Sequence, residues 1–236
     1  MGVLSGTPWL ADRLPDSSHH VQQQRRPSVS SASAEHIKEL ARHSKVCGLS
    51  GDPTLPEELR DLIHEADQNK RLLNDEEIQL CCAWSGLEAA PLAELQRQAS
   101  DLVDQARADL LRNQPQLVQP GGQLFPQERA EACWRDCFHF LRVSLYGTAL
   151  RRADVTDSEG IQYLAELYAL LDVPVPALLL ALDCLRLHSV ASYRNLGAGA
   201  DAEALGVALS NLCNIIGNEM KRHDGAQREG RKADIN

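Results

Sequence analysis

Along this chain apolar residues recur every three or four positions, and no stretch alternates with the two-residue period of a half-buried strand. The pattern predicts helices throughout. Leu59, Leu62, Ile63 and Ala66 set a helix over residues 56–72, with Pro56 in the first turn, where a missing N–H costs nothing. Asn74 is placed to cap the next helix, which holds Ile78, Leu80 and Cys81. From Pro91 a stripe of Leu95, Ala99, Leu102, Val103, Ala106 and Leu110 predicts one longer helix to residue 112, stopped before Pro115. Pro120-Gly121-Gly122 is a turn signal. Residues 127–151 then read as a single long helix, with Trp134, Phe138, Leu141, Leu145 and Tyr146 on its buried side.

Asp157 caps a predicted helix over 158–171 that ends before Pro174. Pro176 starts another, through Leu178, Leu182 and Leu185. After Gly197 and Gly199, Asp201 caps a last amphipathic helix, with Leu205, Leu209, Leu212, Ile216 and Met220 inward. Roughly seven or eight helices over residues 56–222 suit an all-α, globin-like bundle. Upstream, the polar stretch up to residue 33 cannot bury a face and is expected to be a flexible arm. A short helix over 33–45, capped by Ser33 and weakly apolar at Ile37 and Leu40, is followed by a linker over 48–56. The expected division is an arm at 1–33, an extension at 34–55, the helical domain at 56–222 and a charged, mobile tail at 223–236.

Composition sharpens this picture. Aromatic residues make up 4% of the chain, so leucine and alanine must fill the core, which favours helix packing. The net charge is −9 and no basic stripe rises above it, which argues against nucleic acid as a partner. No apolar run of membrane-spanning length and no signal-peptide pattern is read, so a soluble, intracellular protein is expected. Seven cysteines at irregular spacing, with no C-x-x-C pair, suggest neither a disulfide framework nor a zinc site. Most of them read as small buried apolar residues. No glycine-rich phosphate loop, G-x-S-x-G or H-E-x-x-H points to an enzyme.

Four ordered segments carry a family resemblance. The first is Arg112-Asn113-Gln114-Pro115 with Val118-Gln119-Pro120-Gly121-Gly122. The second is Cys133-Trp134-Arg135-Asp136, then Leu141-Arg142 and Tyr146-Gly147. The third is Ala165-Glu166-Leu167-Tyr168 with Leu171-Asp172-Val173-Pro174-Val175-Pro176, and the fourth is the helix after Asp201. Upstream, Asp61-Leu62-Ile63-His64-Glu65-Ala66-Asp67 adds a weaker match. Together they resemble the phycobiliproteins, most of all the alpha-type subunits of allophycocyanin. The resemblance implies a globin-like fold with an N-terminal helical hairpin that pairs with a second subunit.

It also implies a covalently attached linear tetrapyrrole of the phycocyanobilin type. Cys133 would supply the thioether. Asp136, three residues on and so on the same helix face, would hold the pyrrole N–H groups by charge-assisted hydrogen bonds. Arg135 is the resemblance's choice for a propionate, although it points about 100° away from Asp136 along the helix. Arg129, four residues before the cysteine, is a candidate for a second propionate, and Tyr168 either closes the pocket or simply packs in the core. Departures from the family pattern are His139 and Phe140 in place of two tyrosines, Gln123 in place of the loop asparagine, and Arg151-Arg152-Ala153-Asp154 after the pigment helix.

The resulting expectation is a light-harvesting, energy-transfer subunit without catalytic activity. It would work as a heterodimer with a second phycobiliprotein subunit or with itself, in higher disc assemblies joined by linker polypeptides. Its place would be peripheral to the thylakoid membrane on the cytoplasmic or stromal side. The competing expectation is an unpigmented adaptor that pairs with phycobiliprotein subunits while its N-terminal arm recruits a partner. A haem globin ranks last, because His139 and His188 are lone histidines with no recognisable partner.

Overall fold

A computed structural model describes residues 31–233. Among the described residues there are nine α-helices and no strand, and the one β-bridge joins Cys47 to Thr156. The architecture is the all-helical, globin-like one. The arm expected over 1–33 lies mostly outside the described residues.

Helix α1, Ser31–His43, begins two residues before the expected Ser33 cap. Helices α2, Glu57–Gln68, and α3, Asp75–Ser85, follow the predicted pattern. Asn74 caps α3 as expected, and does so reciprocally: its side chain accepts from the Glu77 N–H, while Glu77 accepts from the Asn74 N–H. The predicted single helix from Pro91 is two, α4 at Ala89–Arg97 and α5 at Ala99–Asn113. The break falls at Gln98, whose N–H bonds Leu95 in a tighter turn. A one-residue offset leaves the apolar stripe nearly in register, so periodicity alone runs across it. Beside the break the buried Gln96 carboxamide holds both the N–H and the C=O of Leu73.

Helix α6, Gln127–Ala149, is the spine of the fold, with α7 at Ser158–Leu170 capped by Asp157 as predicted. Helix α8, Val175–Asn195, and α9, Gly199–Ala233, pack along each other, and α8 also lies on α5. Leu205, Leu209, Leu212, Ile216 and Met220 are buried, as the pattern predicts. Asp201 sits in the first turn of α9 rather than capping it.

Residues 223–233, expected as part of a mobile tail, continue α9; Ala226, Gln227, Arg228, Glu229, Arg231, Lys232 and Ala233 are good helix formers, while Gly225 and Gly230 are poor ones. Helix α8 is long and apolar enough to cross a membrane by length and composition alone. Here its inner face, from Leu178 through Tyr193, is core.

Leucine and alanine fill that core, as the low aromatic content requires. Tyr146, Tyr168 and Tyr193 are its largest fully buried side chains. Each is therefore placed where its hydroxyl must find a partner or go without.

Candidate functional site

The long helix α6 turns Arg129, Cys133 and Asp136 to one side, because positions three and four apart share a helix face. Opposite them stand Tyr168 of α7, Val173 and Pro174 of the α7–α8 link, and Leu178 in the first turn of α8. Leu124, from the loop before α6, completes the wall. The cleft between them is narrow: about 10 Å³ is open to the centre of a water-sized sphere, about the least that holds a single water molecule. Cys133 and Asp136 are each 6% exposed and Tyr168 2%.

Tyr168 donates its hydroxyl hydrogen to Oδ2 of Asp136 at 2.7 Å. Burial has stripped water from this carboxyl and pushes its pKa up to about 7, against the opposing pull of the Tyr168 hydrogen bond and of the Arg135 and Lys70 charges. The same burial, with the Asp136 charge beside it, holds the Tyr168 phenol well above its ordinary range. Cys137, one turn after Cys133, is hydrogen-bonded to it and is pushed well above a normal thiol by that bond and by burial. Its expected place in the core holds.

Arg129 makes a contribution that sequence reasoning missed. Its guanidinium donates to the carbonyls of Gln123 at 2.8 Å, Leu171 at 2.9 Å and Asp172 at 2.8 Å. These belong to the loop before α6 and to the C-terminal end of α7, so Arg129 ties together three sides of the cleft mouth. A cation is also favoured at that helix end, where carbonyls lack intrahelical partners. Arg135 is exposed and stands outside the lining of the cleft. The sequence-predicted residues thus divide: Cys133, Asp136, Tyr168 and Arg129 meet in one cleft, and Arg135 does not line it.

A second polar cluster ties α6 to α2. Arg142, almost fully buried, donates to Asp67 Oδ1 at 2.7 Å, to the Tyr146 hydroxyl at 2.7 Å and to His139 Nδ1 at 3.0 Å. Tyr146 in turn donates to the Arg71 carbonyl, and the Arg71 guanidinium grips Glu77 at 2.6 and 2.7 Å and pairs with Glu65. The sequence displayed Arg142, Tyr146 and Asp67 within the family-like segments but gave them no role. The available signal was an arginine on the apolar side of a helix, which must find partners. His139 accepts from Arg142 and is therefore neutral; burial and that charge lower its pKa to about 2. His188 pairs with Asp109 at 2.8 Å. Both histidines weighed as haem ligands are thus engaged by side chains.

The donor set fits a linear tetrapyrrole: a thiol, a carboxyl three residues on and a phenol that orients it.

The profile of the phycobilisome protein family matches residues 61–214. Among curated proteins, the allophycocyanin subunit beta-18 of Porphyra purpurea is 33% identical over 92 residues, covering 39% of this chain and 54% of that protein. The allophycocyanin subunit alpha-B of Synechocystis sp. is 29% identical over 128 residues, covering 53% and 80%. The C-phycocyanin beta subunit of the same organism is 40% identical over 76 residues, covering 32% and 44%. The chain spans about half the length of the first of these relatives.

Proposed function

The chain belongs to the phycobilisome protein family, and on that premise we propose that it is a light-harvesting subunit carrying a linear tetrapyrrole on Cys133. Phycobiliproteins are light-harvesting pigment proteins and not enzymes. The observation that carries the reading is the meeting of Cys133, Asp136 and Tyr168 in one buried cleft between α6 and α7. The pigment, of the phycocyanobilin type, would supply absorption of visible light and transfer of the excitation.

Every other task falls to this chain's own residues. Cys133 would add its S–H across the exocyclic double bond of the first pyrrole ring, sulfur bonding one carbon as a thioether and the hydrogen going to the other. Asp136 would pass its carboxyl proton to the basic pyrrole nitrogen of the pigment and, as a carboxylate, accept hydrogen bonds from the inner pyrrole N–H groups, and Tyr168 would keep that carboxylate aimed. Arg135, from the solvent side, and Arg129, by exchanging carbonyl partners at the mouth, neutralise propionates. Leu124, Val173, Pro174 and Leu178 exclude water and hold the pigment rigid, so that excitation is not lost to motion.

By the same reading the domain at 56–222 pairs with a second phycobiliprotein subunit, or with its own copy, in assemblies joined by linker polypeptides. It sits on the cytoplasmic or stromal face of the thylakoid. The acidic charge speaks against nucleic acid. The test is the absorption spectrum of the protein made together with a bilin and an attaching lyase. Red absorption that survives denaturation, with zinc-induced fluorescence of the band on a gel, supports the reading; a colourless protein contradicts it.

Three observations favour a second reading, an unpigmented adaptor. The cleft is narrow, Arg129 is committed to three carbonyls, and His139 and Phe140 replace the family's tyrosines. An adaptor would still pair with phycobiliprotein subunits, and the segment before the family-like region would recruit the partner.

A further inference from the structure

Residues 31–55 lie outside the stretch that matches the family profile, yet they are stitched into the fold. Helix α1 lays Ile37, Leu40 and Ala41 against Leu167, with Tyr163 and Leu171 packed around them, in an apolar cluster separate from the main core. His36 bonds Glu166 at 3.1 Å at its edge. After α1 the chain crosses the loop between α6 and α7. Gly48 N–H bonds the Val155 carbonyl and Asp157 N–H bonds the Val46 carbonyl, both at 2.9 Å. The backbones approach so closely that glycine is required on both sides: a Cβ at Gly160 would overlap the Lys45 carbonyl, and one at Gly48 the Thr156 carbonyl. Farther on, Asp52 and Thr54 hold Arg152 at 2.8 Å each.

The helix that this segment grips is the one that closes the cleft. Leu167 faces α1, and its neighbour Tyr168 reaches Asp136. Leu171 packs against the α1 cluster, while its carbonyl is one of the three that Arg129 holds at the mouth. We propose that residues 31–55 are an intramolecular strap that presses α7 onto α6 and sets the aperture of the Cys133 cleft, with Gly160 as the position that lets the strap seat. Leu40, Leu167 and Gly160 are then positioning residues, acting on Cys133 and Asp136 through α7. The functional meaning rests on the reading of the cleft as the pigment site, but the mechanical claim is measurable without pigment.

The test uses the full chain and Gly160→Ala. Alanine suits a helix better than glycine, so α7 itself keeps its Asp157 cap while the strap is displaced. Native protein is pulsed with N-ethylmaleimide, and each cysteine is quantified by peptide mass spectrometry with fragmentation to separate Cys133 from Cys137. Cys47, buried in the strap, reports its release, and Cys81 and Cys82, buried in α3, report global opening. The expected result is alkylation faster by on the order of tenfold at both Cys47 and Cys133, with Cys81 and Cys82 unchanged. Leu40→Asp, which attacks the strap from its apolar side, should give the same pattern. Release of Cys47 with Cys133 unchanged overturns the proposal. So does equal acceleration at all four cysteines, or no change at Cys47 in either variant. Failure of the pigment reading would show instead as an unmodified Cys133 in protein made with bilin, and would leave these rates as they are.

Discussion

Tyr168 and Asp136, on different helices and 32 residues apart, share a hydrogen bond of 2.7 Å inside a buried cleft. A carboxyl in such a place keeps its proton unless something pays for the charge, and one phenol is not enough: the pKa of Asp136 stands at about 7.

That elevation fixes a sign. Between the unfolded value of 3.8 and about 7, the folded chain holds a proton on Asp136 that the unfolded chain has released. The contribution of Asp136 to stability is therefore greatest at low pH and is lost as pH rises through that window, by a few kcal/mol in all. Asp136→Asn should flatten this part of the stability–pH curve measured by urea denaturation. Tyr168→Phe, which removes the bond favouring the charged form, should move the carboxyl titration above 7, read by carbon NMR or infrared spectroscopy.

His139 fixes the opposite sign. Its folded pKa of about 2 lies below the ordinary 6.5, so the unfolded chain takes up a proton that the folded chain refuses. Stability contributed by neutral His139 is present above pH 6.5 and falls by about 1.4 kcal/mol per unit as pH drops below it. In His139→Gln this loss should disappear in denaturation curves taken between pH 4 and 7, a range set by the ordinary pKa of histidine.

The Asp67–Arg142 pair is the main polar tie between α2 and α6. Asp67→Ala leaves the buried Arg142 charge without its carboxylate and should destabilise the chain by about 3 kcal/mol. Replacing both, as Asp67→Ala with Arg142→Met, should recover much of that loss, because the uncompensated charge is gone. A smaller cost for the single variant than for the double would contradict this account.

Gln96→Leu should cost about 1–3 kcal/mol, although the side chain keeps its volume, since the N–H and C=O of Leu73 lose their partner in a buried place. Chemical denaturation measures it, and a neutral result would mean that water replaces the carboxamide.

Much of this molecule was legible from its sequence because the information was local. Helical periodicity placed the helices, and Asn74 and Asp157 were identified as caps from their position before apolar stripes. Cys133 and Asp136 share a face by spacing alone, and the family resemblance brought Tyr168 to them. What stayed hidden depends on distant partners. Nothing near Arg129 in sequence says that it will meet Leu171 and Asp172, and nothing near Leu40 announces Leu167. The break at Gln98 was invisible because the stripe survives a one-residue offset. The length of α9 was missed because polarity was taken as the end of a helix, when polar side chains propagate one well.

The central claim is that Cys133 carries the pigment. The most direct measurement is the mass of the proteolytic peptide containing residue 133, taken from denatured protein that was made with a bilin and an attaching lyase, beside Cys133→Ala. The account predicts that this peptide gains the mass of one linear tetrapyrrole and that the alanine variant gains none. An unmodified Cys133 peptide under conditions that load an allophycocyanin subunit in parallel would contradict it and leave the adaptor reading in its place.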